Sequence, residues 1–557
     1  MSASSKKKLR KEQNAAALTE KQLAEQKESK KLKVYTISFV AVLALVVVAA
    51  LVVAGVTGFM NSGFLQRNND AVTIGDATLS NADLNFFYMD KIKSDYNDWY
   101  SSYGDNTQLF VQWLQGLDIT KPLNEQFWDE ETGKTFADYY KDQAIESAKN
   151  VYAMYNLAKA AGSAELTENQ KTQLDATIES MKFYASMYGY SDPVDYLKAL
   201  YGPGTTMENY RHYMEVNTVA TNYAQNIYNG LEISDKNISD RNKENFDEFS
   251  TFDYAVFFVD VNDFLACKNE ETAKDHQHSA DELTAARKAA LDAAKELVAS
   301  GATDVEALDA AIAKLDTYKD DENAKSGTRT GYYLEQVNAS QAEWLKAADR
   351  KVGDLDMLVK ETTTKDTEGK ETTTIDGYHI MLYLGRNDNE QKLVNVRHIL
   401  SSFEGGTTDA NGNKTYSPKE KEAALTALEA IKKEWLEKGG TVEAFEALAK
   451  EKTDDSGSKA NGGLYEDVYP GQMDTAFNDW CFAEGRKTGD YEIVETEYGY
   501  HLIYFVSHND TTYREMLIEN TLRNEAYTEW YEEQLENTKV TELNTEYLSR
   551  DHVIAMQ

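Results

Sequence analysis

The longest unbroken apolar pattern lies near the start of the chain. Val34 to Met60 holds no charged residue, and its apolar centre runs from Ile37 to Val56. At about 1.5 Å per residue, a helix of that length spans the roughly 30 Å of a bilayer core. Past it the pattern becomes globular. Ala71 to Asp76 reads as a short strand and turn, and Ser80 or Asn81 can cap a helix through Leu84, Phe87 and Ile92. Helical spacing of apolar and aromatic positions dominates residues 84–245, as with Tyr139, Tyr140, Tyr152 and Tyr155, then Phe183, Tyr184, Met187 and Tyr188. These rings fit a helix core; an apolar surface that holds segments of other chains is the second reading.

Two later stretches share one pattern. Each opens on an apolar strand, Tyr254–Phe258 and Val394–Leu400. Each continues with a capped helix, from Ser279-Ala-Asp-Glu282 to Gly301 and from Ser417-Pro-Lys-Glu420 to Gly439. A second helix follows at Thr303 or Thr441. Each ends on a matching strand, Gly377-Tyr-His-Ile-Met381 and Gly499-Tyr-His-Leu-Ile503. Beyond the second copy, Thr512 to Asn537 reads as one more helix, with Leu517, Leu522, Trp530 and Tyr531 as its apolar stripe.

Charge adds direction to this plan. The first 33 residues carry ten Lys/Arg against four Glu, whereas the whole chain of 557 residues has a net charge of -36. The basic flank places the N-terminal side of the apolar stretch in the cytoplasm and the bulk of the chain outside. Such an acidic chain is a poor nucleic-acid binder. With only Cys267 and Cys481, a disulfide scaffold and a Cys-rich zinc module are excluded. The run is longer than that of a cleaved signal peptide, the rival reading, and its exit Gly58-Phe59-Met60-Asn61 is a poor cleavage site, so an uncleaved single-pass anchor in the membrane lipid is expected; no lipid-attachment cysteine stands near that exit. Asp409, Asn411, Asn413 and Glu420 echo a calcium loop, but Lys414 stands where that loop needs Gly. No other motif for a metal or cofactor appears, and neither is expected.

The second copy resembles the parvulin family of peptidyl-prolyl isomerases over about Lys392 to Ser507. The motifs are Val396-Arg-His398-Ile-Leu400, Thr453-Asp-Asp455-Ser456, Gly462-Gly-Leu464, Gly471-Gln-Met473 with Phe477 and Phe482, and Thr496-Glu-Tyr-Gly-Tyr-His501. The resemblance implies a catalytic set of His398, Asp455, Thr496 and His501. It also implies a proline-binding slot of Leu464, Met473, Phe477 and Phe482. An X-Pro bond rotates over a barrier of roughly 18–20 kcal/mol, so a catalyst needs an apolar grip on the ring and polar groups that favour the twisted amide. A carboxylate at 455 is a poor nucleophile toward an amide, so the covalent route is disfavoured and an electrostatic one fits. Two departures stand out: Tyr465 directly follows Leu464, where relatives have Gly, and Gly405 to Asn413 is an insertion.

The order of segments is similar to extracytoplasmic foldases of the survival factor A group. It implies an α+β chain: a basic cytoplasmic segment (1–33), a transmembrane helix (34–60), a helical chaperone domain (70–248) completed by a C-terminal helix (509–557), and two tandem parvulin-like domains of antiparallel sheet and helices (250–387 and 392–508). The first is degenerate, because Val256 stands where His398 stands in the second and only His379 survives. The expected function is isomerisation and chaperoning of newly exported chains with X-Pro bonds. A non-catalytic holdase, with the parvulin-like modules as peptide scaffolds, is the alternative.

Overall fold

The computed structural model describes residues 4, 5, 7, 62–103, 117–265, 278–365, 369–409 and 412–554. The basic segment, apart from Ser4, Ser5 and Lys7, and the whole apolar stretch 34–60 lie outside the described residues, as do Cys267 and Asn411. Among the described residues no helix is long and apolar enough to cross a membrane. The chain divides into two compact units, residues 1–232 with 523–557, and residues 233–522.

In the first unit, strands β1 (Asp70–Ile74) and β2 (Ala77–Ser80) form a hairpin. Val540–Glu542, from the far end of the chain, adds a third antiparallel strand beside β1. Ser80 and Asp83 exchange hydrogen bonds at the start of helix α1 (Asn81–Tyr103), so Ser80 is the cap. Helices α2 (Phe136–Ala160), α3 (Glu168–Met187), α4 (Pro193–Tyr201) and α5 (Met207–Gly230) follow. The aromatic residues mostly make the core: Phe86 stacks on Tyr213 at 4.8 Å, and Tyr140, Tyr196 and Tyr210 are fully buried. Phe183 and Met187 instead project into solvent. Trp530, Tyr531 and Leu535 of the closing helix (Tyr513–Asn537) pack against Ala153, Met154 and Ala220 of α2 and α5.

The second unit holds two four-stranded antiparallel sheets of one design. Strand β3 (Thr251–Asp260) leads to helices α6 (Ala280–Ala299) and α7 (Val305–Ile312). Strand β4 (Gly327–Tyr332), helix α8 (Ala339–Leu345) and strands β5 (Leu355–Lys365) and β6 (Glu371–Asn387) complete the first. The second repeats the order with β7 (Lys392–Ser402), α9 (Pro418–Glu437), α10 (Val442–Lys452), β8 (Leu464–Val468), α11 (Thr475–Cys481), β9 (Tyr491–Glu495) and β10 (Gly499–Thr512). The strand orders, β4-β3-β6-β5 and β8-β7-β10-β9, correspond position for position. The strand–helix–helix–strand pattern expected from sequence thus omitted a strand, a short helix and another strand in each copy. Helices α8 and α11 and strands β8 and β9 carry too few residues for a period to show, and β5, eleven residues long, is largely exposed and so lacks an apolar alternation.

Both sheets bury two faces. In the second, Ile399, Leu502 and Tyr504 lie under α9 and α10 with Leu428, Trp435, Phe445 and Leu448. Val394, Val396, Ile503 and Phe505 face the other way, toward Phe477, Trp480 and Cys481 of α11. The predicted capping boxes Ser279–Glu282 and Ser417–Glu420 are formed, with Pro418 in the first turn. The Glu420 carboxylate takes N–H groups of Gly406 and Ser417, so it is committed to the cap and the insertion.

A clasp recurs in each copy. Trp344 and Trp480 donate their indole N–H to Asp356 and Glu492, at 3.2 and 2.8 Å. Arg350 and Arg486 lie over those indoles at 4.0 and 3.9 Å and donate Nε–H to the tryptophans' own carbonyls. Gly353 and Gly489 then donate to Tyr383 and Phe505 on the last strand. Both segments read W-x-x-A-x-x-R-K-x-G-D-x-acid.

Candidate active site

His398 and His501 sit on the two central strands, β7 and β10. Register places His398 opposite Ile503 and His501 opposite Leu400, so the two imidazoles are diagonal neighbours on the α11 face of the sheet. Their Nδ1 atoms are 3.0 Å apart, and the rings are 3% and 7% exposed. His398 Nε2 lies 2.9 Å from Asp455 Oδ2, and Thr496 Oγ1 lies 2.9 Å from His501 Nε2. Asp455, His398, His501 and Thr496 therefore form one continuous line of hydrogen bonds. Phe477 closes over it, edge-on to both rings at 5.5 and 5.4 Å.

The loop after α10 presents Asp455. Thr453 Oγ1 accepts from Leu400 N–H, and Asp454 accepts from the Ser402 N–H and hydroxyl. These bonds dock the loop on β7. Asp455 then accepts from the N–H groups of Gly457 and Ser458 and from the Ser458 hydroxyl. Burial alone pushes the Asp455 carboxyl up, but the bonds from His398 and Ser458 outweigh it and hold the group well below the usual carboxylate range. Burial, reinforced by His398, pushes the His501 imidazole down to about 3, so it is neutral through the physiological range.

The ionised carboxylate fixes the direction of the line. It can only accept, so His398 Nε2 carries a proton. In the state in which His398 is also uncharged, its Nδ1 is then the acceptor and His501 Nδ1–H the donor. His501 Nε2 is left to accept from the Thr496 hydroxyl. This tautomer order follows from the network.

Not every residue expected in the slot stands with the histidines. Leu464 is opposite Arg397, whose guanidinium bonds to Glu446 of α10. Opposite residues of an antiparallel pair share a face, so Leu464 lies on the α9–α10 side of the sheet, away from the imidazoles. Tyr465, opposite Val396, takes the histidine side instead: its ring is 5.3 Å from that of His398 and its hydroxyl donates to Asp455 Oδ2 at 3.1 Å. The reason is the entry into β8. Gly462 and Gly463 both have left-handed φ, and a Cβ on Gly463 would fall 2.2 Å from the His398 carbonyl. That approach lets His398 N–H donate to Gly463 O and sets the strand's phase. Met473 and Phe482 are half-buried at the edge of the Phe477 cluster, while Phe477 is only 2% exposed. Cys481 is buried and its thiol is pushed up to about 12.

The first sheet has the same register with different chemistry. His379 is opposite Phe258 as His501 is opposite Leu400, and Val256 is opposite Met381 as His398 is opposite Ile503. Among the described residues His379 Nδ1 is buried with no hydrogen-bond partner, and its ring tilts against Phe258 at 4.8 Å. On the adjacent strand, Lys360 opposite Gly377 occupies the place of Thr496, whose N–H pairs with Gly499.

An antiparallel sheet with paired imidazoles on its central strands and a buried Phe across them defines the parvulin type. Residues 378–508 match the family described as the PPIC-type PPIASE domain. Among curated proteins, the chain is 41% identical over 78 residues to "Foldase protein PrsA 1" of Listeria monocytogenes, covering 14% of this chain and 26% of that protein. It is 29% identical over 152 residues to "Foldase protein PrsA 4" of Bacillus cereus, covering 26% and 54%. The matches thus span between about a quarter and half of these relatives' lengths. Among solved structures, a peptidylprolyl isomerase (PrsA) of Bacillus anthracis shares 24% identity over 27% of this chain and 59% of its own, with a TM-score of 0.16.

Proposed function

We propose that the chain is a peptidyl-prolyl cis–trans isomerase and chaperone that assists the folding of exported proteins, with its reaction centre in residues 392–508. The observation that carries this is the hydrogen-bonded line Asp455–His398–His501–Thr496 under Phe477, within a segment that matches the isomerase family. His398, Asp455, Thr496 and His501 are the catalytic set, and Met473, Phe477 and Phe482 the ring-binding set; Leu464 lies on the other face of the sheet. No bond is broken in the reaction. The site would hold the proline ring against Phe477 while the fixed dipoles and the anion of Asp455 favour the twisted amide over both planar forms.

In the same reading, residues 250–387 are a degenerate copy. Val256 and Lys360 replace His398 and Thr496, so no imidazole pair can form. Residues 70–248 and 509–557 make one chaperone domain; the packing of Trp530 and Tyr531 on α2 and α5 supports this. Residues 34–60 anchor the chain in the membrane, with 1–33 in the cytoplasm; the charge asymmetry supports this.

The test is a proline-peptide isomerisation assay on the full chain. It is expected to accelerate cis–trans exchange, and His379→Ala is expected to leave the rate unchanged. A full chain with no acceleration over buffer overturns the catalytic reading. The holdase reading draws on Phe477, whose ring already covers both imidazoles; suppressed aggregation of unfolded clients without any isomerase rate would establish it.

A further inference from the structure

We propose that Tyr465 is a positioning residue of this site: its phenol shares the Asp455 carboxylate with His398 and thereby sets how strongly that carboxylate holds the imidazole pair. The inference rests on the isomerase reading for its effect on rate, and on geometry alone for its effect on the imidazoles. Four donors converge on the single oxygen Asp455 Oδ2: the Tyr465 hydroxyl at 3.1 Å, His398 Nε2 at 2.9 Å, the Ser458 N–H at 3.1 Å, and the Ser458 hydroxyl. Among the described residues Oδ1 receives only the Gly457 N–H, at 3.2 Å. A carboxylate oxygen has about two lone-pair directions, so these donors compete. Each bond from tyrosine or serine disperses negative charge that would otherwise act on His398.

The tyrosine is placed for this by backbone rather than by chance contact. The glycine pair at 462–463 sets the phase of β8 and turns position 465 to the imidazole side. Its ring, tilted 34° to that of His398, also walls that imidazole from solvent. Burial and the adjacent Asp455 charge push the phenol well above the ordinary tyrosine range, so it remains a donor.

The charged and titratable groups around the pair are few. The loop supplies Asp455, β8 supplies Tyr465, and β7 and β10 supply the imidazoles themselves. α11 presents Phe477 and the Cys481 thiol, and Thr496 follows directly on β9. Asp454 and Lys459 of the loop are turned to Ser402 and to the Thr453 carbonyl. Removing the phenol hydroxyl therefore leaves one dominant change, a more exposed anion next to His398. A stronger anion favours imidazolium, so the pair's apparent pKa rises.

The experiment uses the full chain and the variants Tyr465→Phe, Tyr465→Leu and Ser458→Ala. With selectively labelled histidine, the imidazole 13Cε1 signals are followed against pH; the pair is assigned through His398→Ala and His501→Ala among the eight histidines. Tyr465→Phe keeps the ring and is expected to move the pair's titration up by about one pH unit, the size expected for a lost hydrogen bond to a charge. The acid limb of the kcat profile should move with it while KM stays unchanged. Ser458→Ala should shift in the same direction. Coincident titrations of Tyr465→Phe and the parent chain, or a shift in Tyr465→Leu alone, overturn the proposal. If the parent chain shows no isomerase rate, the functional reading falls, and the imidazole titration still decides this one.

Discussion

His398→Ala in the full chain should lower the isomerase rate by on the order of 100-fold, the scale of removing one preorganised polar group from a reaction centre. The substitution breaks the hydrogen-bonded line at its middle. His501 Nδ1–H loses its acceptor, and Asp455 loses its imidazole donor. His501 is then free to take its other tautomer and to bond Thr496 differently, so the polar floor beneath Phe477 no longer has a single arrangement. The effect on folding is smaller. Leaving a buried donor unpaired costs about 1–3 kcal/mol, while the α9–α10 face of the sheet, with Trp435, Phe445 and Leu502, is untouched. The check is the proline-peptide rate alongside the circular dichroism spectrum. An unchanged rate with an intact fold would remove His398 from the mechanism. A second comparison sharpens it: His501→Ala should lose rate comparably, because either deletion leaves only half of a unit that acts together.

Much of this site could be read from the chain because the motifs lie at strand ends and turns. His398 follows the alternation Val394-Asn-Val396-Arg, and period-2 alternation fixes which face its side chain takes once the strand is aligned, whereas His501 precedes the continuous apolar run Leu502–Phe505 and is recognisable by its place in the motif Thr496-Glu-Tyr-Gly-Tyr-His501. Leu464 could not be placed that way. It follows two glycines in left-handed conformation, where the strand phase is set by a close approach to the His398 carbonyl that no hydrophobic pattern records. A shift of one residue turns a side chain to the opposite face, and so Tyr465, read as a mere departure, is the one beside His398. Ser458, unlike Ser456, lies outside the Thr453-Asp-Asp455-Ser456 motif. The available signal was the Asp-x-x-Ser spacing, at which an aspartate carboxylate meets both the N–H and the hydroxyl of the residue three on. The repeat itself was legible at the first and last strands of each copy, which are central in the sheets, and at the capped helices, while its strongest sequence echo, the tryptophan–arginine segment, carries no hydrophobic period at all.

That echo leads to the second large effect. Trp480→Ala should destabilise the second sheet by about 3–5 kcal/mol, the usual range for deleting a buried aromatic side chain. Three interactions fail together. The cluster of Phe477, Cys481 and Phe505 loses its largest neighbour. Glu492 loses the indole N–H. Arg486 loses the ring beneath its guanidinium, although its bond to the residue 480 carbonyl can persist. Trp480 also sits one helical turn from Phe477 on α11, so its loss loosens the helix that presents Phe477 to both imidazoles. Isomerase rate should therefore fall with stability. Trp344→Ala makes the matching lesion in the first sheet, where Arg350 and Asp356 are its partners. It should destabilise that sheet by a similar amount and leave the rate unchanged. Hydrogen exchange measured peptide by peptide on the full chain separates the two. Trp480→Ala should speed exchange across residues 489–505 and Trp344→Ala across 353–383. Trp480→Phe keeps a ring under Arg486 and gives up only the indole N–H, so its exchange should lie close to the parent chain. Equal loss of isomerase rate in Trp344→Ala and Trp480→Ala would mean that the first sheet takes part in the reaction, against the assignment of catalysis to the imidazole pair of the second.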